Sequence, residues 1–171
     1  MKVYYPIFLD LTEQPVLVAG AGKVALRKTK ALVEAGARVT VVAPEALSEF
    51  GELPVRLIAR RFRASDLKGK VLAFAATNVR EVNRRVGAEA ARRGIPANVA
   101  DAPEECRFLV PARIRQNGLQ LAISTGGRSP RLAAGLRRQF ETMLRRATIE
   151  EACNTGAKDP VPLRGKARDS E

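Results

Sequence analysis

Gly20, Gly22 and Ala25 stand in a G-x-G-x-x-A spacing, GAGKVA, directly after the apolar run PVLVAG. Each position has a use in gripping an anion. Glycine at 20 allows a tight turn, the missing Cβ at 22 lets backbone N–H groups approach a pyrophosphate, and the small Ala25 lets a following helix lie close to a sheet. A helix that opens there turns its partial positive end and its unpaired donors toward the same anion. The pattern predicts dinucleotide binding, against the alternative of a tight turn that binds nothing. An acidic residue for the ribose hydroxyls is expected about 20 residues further on. Ala43 and Pro44 stand there instead, with Glu45 just beyond. No Arg adjoins them to hold a 2′-phosphate, so NAD is favoured over NADP, with ribose contacts from the backbone of Ala43, Pro44 and Glu45. Lys23 reaches a phosphate on one reading and only solvent on the other.

The chain has no His, which removes the imidazole base, the commonest metal ligand and every Ser/His or Cys/His nucleophile pair. Acid–base chemistry then falls to Asp, Glu, Lys, Tyr or Cys. Asp101, closing the run NVAD, is the first candidate for a general base, and partial desolvation would suit it to that task near neutral pH. The alternative is a loop Asp that serves as a turn or cap. Ala75-Ala76-Thr77-Asn78 is small and polar where the nicotinamide half of a dinucleotide would pass, with Thr77 as the contact, or is ordinary tight packing. Cys106 and Cys153, with no CxxC, form neither a zinc site nor a disulfide framework, so no metal site and a reducing, cytoplasmic setting are expected.

Lys plus Arg outnumber Asp plus Glu by 30 to 18 for a net charge of +12, and 22 of the cations are Arg. That charge favours an anionic partner, whether nucleic acid, an acidic membrane surface or a polycarboxylate, or reflects a solvated Arg-rich surface. Aromatics at 5% with no Trp argue against base stacking. The opening MKVYYPIFLDLTEQ has no signal-peptide pattern. No uncharged apolar run approaches the roughly 18 residues of a membrane span.

These residues need elements to hold them. PVLVAG (15–20) reads as a buried strand, 23–34 as a helix closed by Gly36, and RVTVVA (38–43) as a second strand, a βαβ order. Further strands are predicted over 55–62, 71–77 and 97–100, with a helix over 80–93. The class is α/β: a Rossmann-type parallel sheet followed by a small α+β dimerisation segment, with ligands at the carboxyl ends of the strands. Strand-like runs over 108–114 and 119–124 flank Asn117-Gly118, a hairpin signal. Ser129-Pro130 then opens a helix to about Arg146 with Leu132, Leu136, Phe140, Met143 and Leu144 on one stripe. The stripe is expected to pack on a second copy of the chain, or back on the main sheet. The polar, Pro-rich run from Asn154 reads as a disordered tail. The expected division is 1–112 for the NAD-binding domain, 113–150 for the dimerisation and substrate segment, and 151–171 for the tail.

Taken together, YPIFLDL, VLVAGAGKVALRKTKALVEAGARVTVVAPE, AATN, NVADAPEECRFLVPA and ISTGGRSPRLA resemble the precorrin-2 dehydrogenase family, over about residues 4–146. Some members of that family are also sirohydrochlorin ferrochelatases, and it forms the N-terminal module of sirohaem synthase. The resemblance implies oxidation of precorrin-2 to sirohydrochlorin with NAD, in a homodimer whose C-terminal segment is exchanged. It puts the catalytic carboxylate on Asp101, cofactor contacts on Gly22, Lys23, Val24, Pro44 and Glu45, and Thr125 near the tetrapyrrole. Arg107, Arg113, Arg128 and Arg131, with Asn98 and Gly126, would then meet the substrate carboxylates. Relatives usually carry a longer helical region after the first dimer helix, and no methyltransferase module is expected here. Two other readings compete: an NAD-sensing regulatory domain without chemistry, and a basic nucleic-acid-binding module.

Overall fold

The computed structural model describes residues 3–116 and 118–155, with side chains to residue 145. The chain divides into two compact units that meet between Val110 and Pro111.

The first unit is a five-stranded parallel sheet. It runs β1 (Pro15–Ala19), α1 (Lys23–Glu34), β2 (Arg38–Ala43), β3 (Arg56–Ala59), β4 (Leu72–Ala75), α2 (Arg80–Arg92) and β5 (Ala97–Val99), with 3-10 turns at Ser48–Glu52, Ala64–Leu67 and Pro103–Glu105. The strands lie in the order β3-β2-β1-β4-β5. Every pair is parallel, with Leu17 opposite Thr40 and Ala73, and Phe74 opposite Asn98. Strand period two sorts the apolar residues onto two faces. Val16, Val18, Val39, Val41 and Phe74 pack with Ala25 and Leu32 of α1. Leu17, Ala19, Val42, Ala73 and Ala75 pack with Val86 and Ala90 of α2. Both faces are thus covered, as the near-continuous apolar strands require.

Helix α1 occupies its predicted residues because both ends carry local signals. Gly22 opens it without a side-chain cap, and Gly36 closes it at φ 77°. β2 matches its predicted residues, whereas β1, β3, β4 and β5 are shorter than predicted. β4 ends at Ala75 rather than Thr77, because the next residues turn away into loop hydrogen bonds. The run 108–114 begins as a strand only at Ala112, since Pro111 has no N–H and restricts the residue before it. Phe108 instead packs edge-on against Phe74, with ring centroids 5.4 Å apart, and Leu109 joins the α2 face.

The second unit pairs β6 (Ala112–Gln116) antiparallel with β7 (Leu119–Ile123), followed by α3 (Pro130–Thr155). Asn117 of the hairpin signal lies outside the described residues. Gly118 has φ 80°. The hydroxyl of Ser129 accepts from the Leu132 N–H at 3.2 Å, the expected N-cap. Helix α3 runs to Thr155, past the predicted end at Arg146 and into the segment read as a tail. The apolar stripe fades after Leu144, yet no Gly or Pro interrupts the backbone before Gly156. The remainder of the expected tail, 156–171, and the side chain of Cys153 lie outside the described residues. Ala133 and Ile114 are buried in this unit, whereas Leu132, Phe140 and Met143 are exposed.

Among the described residues, one buried side-chain polar group is unsatisfied. The Thr29 hydroxyl on α1 is shut away from solvent with no hydrogen-bond partner, a desolvation cost with nothing against it. Thr29→Val keeps the shape and removes the orphan, so stability should rise by about 1 kcal/mol. The gain reads out as a higher urea midpoint at unchanged slope; a lower midpoint would mean that the hydroxyl has a partner after all.

Candidate functional site

The strand order reverses between β1 and β4, and that switch point is where parallel sheets of this kind hold ligands. The loops leaving β1, β2, β4 and β5 all emerge at this carboxyl edge. Gly20 donates its N–H to Val42 O at 2.9 Å, and Ala76 donates to Ala19 O at 2.8 Å, so the glycine turn is pinned between its neighbours. Gly20 sits at φ 106°, and a Cβ there would lie 2.4 Å from Ala76 O. Gly22 differs in kind. Its φ of −89° suits any residue, yet a Cβ would meet nothing within 4 Å.

The open space in front of Gly22 adjoins the first turn of α1, whose N–H groups lack intrahelical partners and whose end has no side-chain cap. Lys23 and Val24 are exposed on that turn. Ala25 is fully buried against the sheet. Ala21 O accepts from Leu47 N–H at 3.2 Å, tying the loop that carries Pro44 and Glu45 to the glycine turn. An uncapped helix end, an open cradle and exposed loop residues beside it fit a dinucleotide pyrophosphate.

Across the switch point stands a hydrogen-bonded group that the sequence reading did not find. Asn83, on α2, is fully buried. Its Oδ1 accepts from the Thr77 N–H at 3.0 Å and lies 2.8 Å from the Thr77 hydroxyl. Its Nδ2 donates to Thr77 O and to Asp101 Oδ2, both at 3.0 Å. The Thr77 hydroxyl also accepts from the Val79 N–H ahead of α2. Thr77, expected as a nicotinamide contact, thus has its N–H, carbonyl and hydroxyl engaged within the protein. The signal for Asn83 was present: it shares the α2 stripe with Val86 and Ala90, and a polar residue in an apolar stripe needs a partner.

Asp101 follows β5 at the same edge. Arg80 Nη1 is 3.6 Å from its Oδ1, and the side chain is 37% exposed. The guanidinium of Arg80 also hydrogen bonds to Glu105, which, with the charges of Glu105, Asp101 and Glu104, holds it firmly protonated. Asp101 therefore keeps a solvent-facing side while Asn83 and Arg80 hold it from the protein side, so its carboxylate is partly withdrawn from water.

Asn98, expected among the substrate contacts, points inward. It is 6% exposed; its Oδ1 accepts from Lys28 Nζ at 2.8 Å and its Nδ2 donates to Phe108 O at 3.1 Å. Polar satisfaction inside the β5 layer outweighed display at the edge. Lys28 lies over the Phe74 ring, and burial, followed by the charge of Arg27, pushes its amine below the ordinary lysine range. Cys106 is a buried cysteine whose Sγ accepts from the Val99 N–H at 3.1 Å. Arg107 is exposed in the first unit.

In the second unit, Thr125 shapes the turn into α3. Its hydroxyl accepts from Ser129 N–H at 3.0 Å, its carbonyl accepts from Arg128 N–H at 3.3 Å, and Gly126 has φ 65°. Arg113, Arg128 and Arg131 are exposed there. Among the described residues, no group of three or more His, Cys, Asp or Glu is placed to hold a metal ion. Among the described residues, no helix is long and apolar enough to cross a membrane.

Fold and site together define a nicotinamide-dinucleotide-binding protein built on the Rossmann plan. Comparison with known proteins narrows that class. Residues 7–112 match the family described as "Putative NAD(P)-binding", and residues 116–143 the one described as "Sirohaem biosynthesis protein central". A solved structure titled "SirC, precorrin-2 dehydrogenase" is similar at TM-score 0.70 and 31% identity, over 81% of this chain and 70% of that one. The chain is 46% identical over 143 residues to a siroheme synthase of Methylobacillus flagellatus, covering 81% of this chain and 31% of that one. It is 43% identical over 157 residues to a siroheme synthase of Ectopseudomonas mendocina, covering 91% and 34%. The chain spans about a third of the length of these curated relatives. It belongs to the NAD(P)-binding sirohaem-biosynthesis family that includes the precorrin-2 dehydrogenase SirC.

Proposed function

We propose that the chain is the NAD-dependent dehydrogenase that oxidises precorrin-2 to sirohydrochlorin. The observation that carries the reading is the Asp101 carboxylate, held through Asn83 to Thr77 at the same sheet edge as the open Gly22 cradle. The oxidation removes a hydride and a proton from the macrocycle. A bound nicotinamide supplies the hydride acceptor. The chain's residues do the rest. Gly20 and Gly22 form the cradle, the α1 N-terminus and Lys23 meet the pyrophosphate, and the loop of Ala43, Pro44 and Glu45 meets the ribose. No Arg adjoins Ala43, Pro44 and Glu45 in the sequence, and on that ground we take NAD rather than NADP. Asp101 takes the proton as conjugation spreads.

Arg107, Arg113, Arg128 and Arg131, with Thr125 and Gly126, are our candidates for the substrate carboxylates. The net charge of +12 supports a polyanionic substrate. We take the active form to be a homodimer that exchanges the unit carrying α3, a reading supported by the exposed Leu132, Phe140 and Met143. If ferrous iron is also inserted, Asp101 is the base for the departing pyrrolic protons.

The test is NADH formation on adding precorrin-2 to the protein with NAD, repeated with NADP and then with ferrous iron present. Turnover with NAD is the expected result. No turnover while dinucleotide still binds would overturn the reading in favour of a sensor.

A further inference from the structure

We propose that Asn83 is a positioning residue for the reaction: its buried side-chain amide locks Asp101 to the Thr77 loop and fixes where the carboxylate stands relative to the bound ring. The inference rests on Asp101 being the base.

The orientation of the amide is set without ambiguity. The Thr77 N–H can only donate, so it must face Oδ1, and this leaves both Nδ2 protons for Thr77 O and Asp101 Oδ2. No other side chain of this size offers an acceptor and two donors in that plane. Asp lacks the donors, Ser is too short, and Gln needs room that a fully buried position lacks. Three of its contacts serve Thr77 and would suffice to shape the loop. The fourth reaches a carboxylate that solvent could have satisfied, since Asp101 is more than a third exposed. Its effect is to remove the freedom of that carboxylate. Proton transfer depends on such placement, and about 1 Å of error can cost on the order of 10²-fold.

The charged groups facing Asp101 are Arg80 from α2 and, behind Arg80, Glu105 and Glu104 from the 3-10 turn. Arg84 faces Glu105 from α2. Asn83 brings the only neutral amide to this group among the contacts described, so its replacement by an acid is diagnostic. Asn83→Asp keeps the acceptor for the Thr77 N–H and hydroxyl, loses the donor to Thr77 O, and sets a second carboxylate against Asp101 Oδ2. Two carboxylates that close retain a shared proton.

The experiment measures kcat and KM against pH for precorrin-2 oxidation by the full chain, wild type and Asn83→Asp, with NAD affinity by calorimetry. The expected result is an acidic limb of kcat moved upward by about one pH unit or more. KM and NAD affinity should stay within about twofold. An acidic limb that does not move overturns the proposal. Should the variant fail to fold, ¹⁵N NMR of the unaltered protein decides. The Asn83 side-chain amide should titrate with the midpoint of the acidic limb and stop titrating in Asp101→Asn, and an amide that ignores this change overturns the proposal equally. Full turnover in Asp101→Asn would instead remove the assignment of the base. Loss of turnover there, with an unmoved limb in Asn83→Asp, would remove only the positioning role.

Discussion

Asp101→Asn is expected to lower precorrin-2 turnover by roughly 10²- to 10⁴-fold, the usual contribution of a placed acid–base group. The substituted amide keeps an oxygen to accept from Asn83 Nδ2, so the local geometry survives while the proton acceptor is lost. Stability should hardly change. The carboxylate meets Arg80 at 3.6 Å with both side chains more than a third exposed, and such pairs contribute about 0–1 kcal/mol. NAD affinity should be unaltered. A variant that binds NAD, melts normally and does not turn over is the signature sought; one that turns over at the wild-type rate would move the base elsewhere.

The second large effect is a contrast between two glycines two residues apart. Gly20→Ala forces a Cβ to 2.4 Å from Ala76 O, 2.7 Å from Ala76 C and 2.9 Å from Thr77 N at a φ of 106°. Backbone strain alone costs about 1–3 kcal/mol, and relief of the clash must push β1 and β4 apart. A loss of about 3 kcal/mol or more is expected, visible as a collapsed thermal midpoint. Gly22→Ala should fold within about 1 kcal/mol of wild type, because φ is ordinary and the space is open. Its methyl would enter the cradle where a pyrophosphate must approach, so NAD affinity should fall about tenfold or more, roughly 1.4 kcal/mol. Calorimetry against unfolding separates the two. Wild-type affinity in Gly22→Ala would mean that the dinucleotide does not lie across this turn.

The two glycines also show how far local sequence reaches. Their spacing marks a strand, a turn and a helix, but only contact with Ala76 makes position 20 intolerant of a methyl. Position 22 faces open space. Both look alike in one dimension because β4, which lies against β1 on the side of Ala76, is more than fifty residues further along the chain.

The same holds for the polar residues. Asn98 sits where a strand-end residue is expected to face a ligand, yet its neighbours Lys28, Phe108 and Cys106 draw it inward. Asn83 shares its helix stripe with Val86 and Ala90, which marks the face it occupies, yet nothing local shows that it links two loops. Helix periodicity says which face a residue occupies; it does not say which distant backbone group waits there.

By itself the sequence determined the βαβ order, the limits of α1 and the glycine turn, because these follow from short-range rules of period, chirality and capping. It also determined that, without histidine, a carboxylate is the leading candidate for the base. The tertiary structure alone decided that β4 lies against β1, that Thr77 and Asp101 share one amide, and that Asp101 keeps its solvent-facing side. Hydrogen-bond partners across a parallel sheet are set by strand order and register, and these are properties of the whole packed unit rather than of any window along the chain.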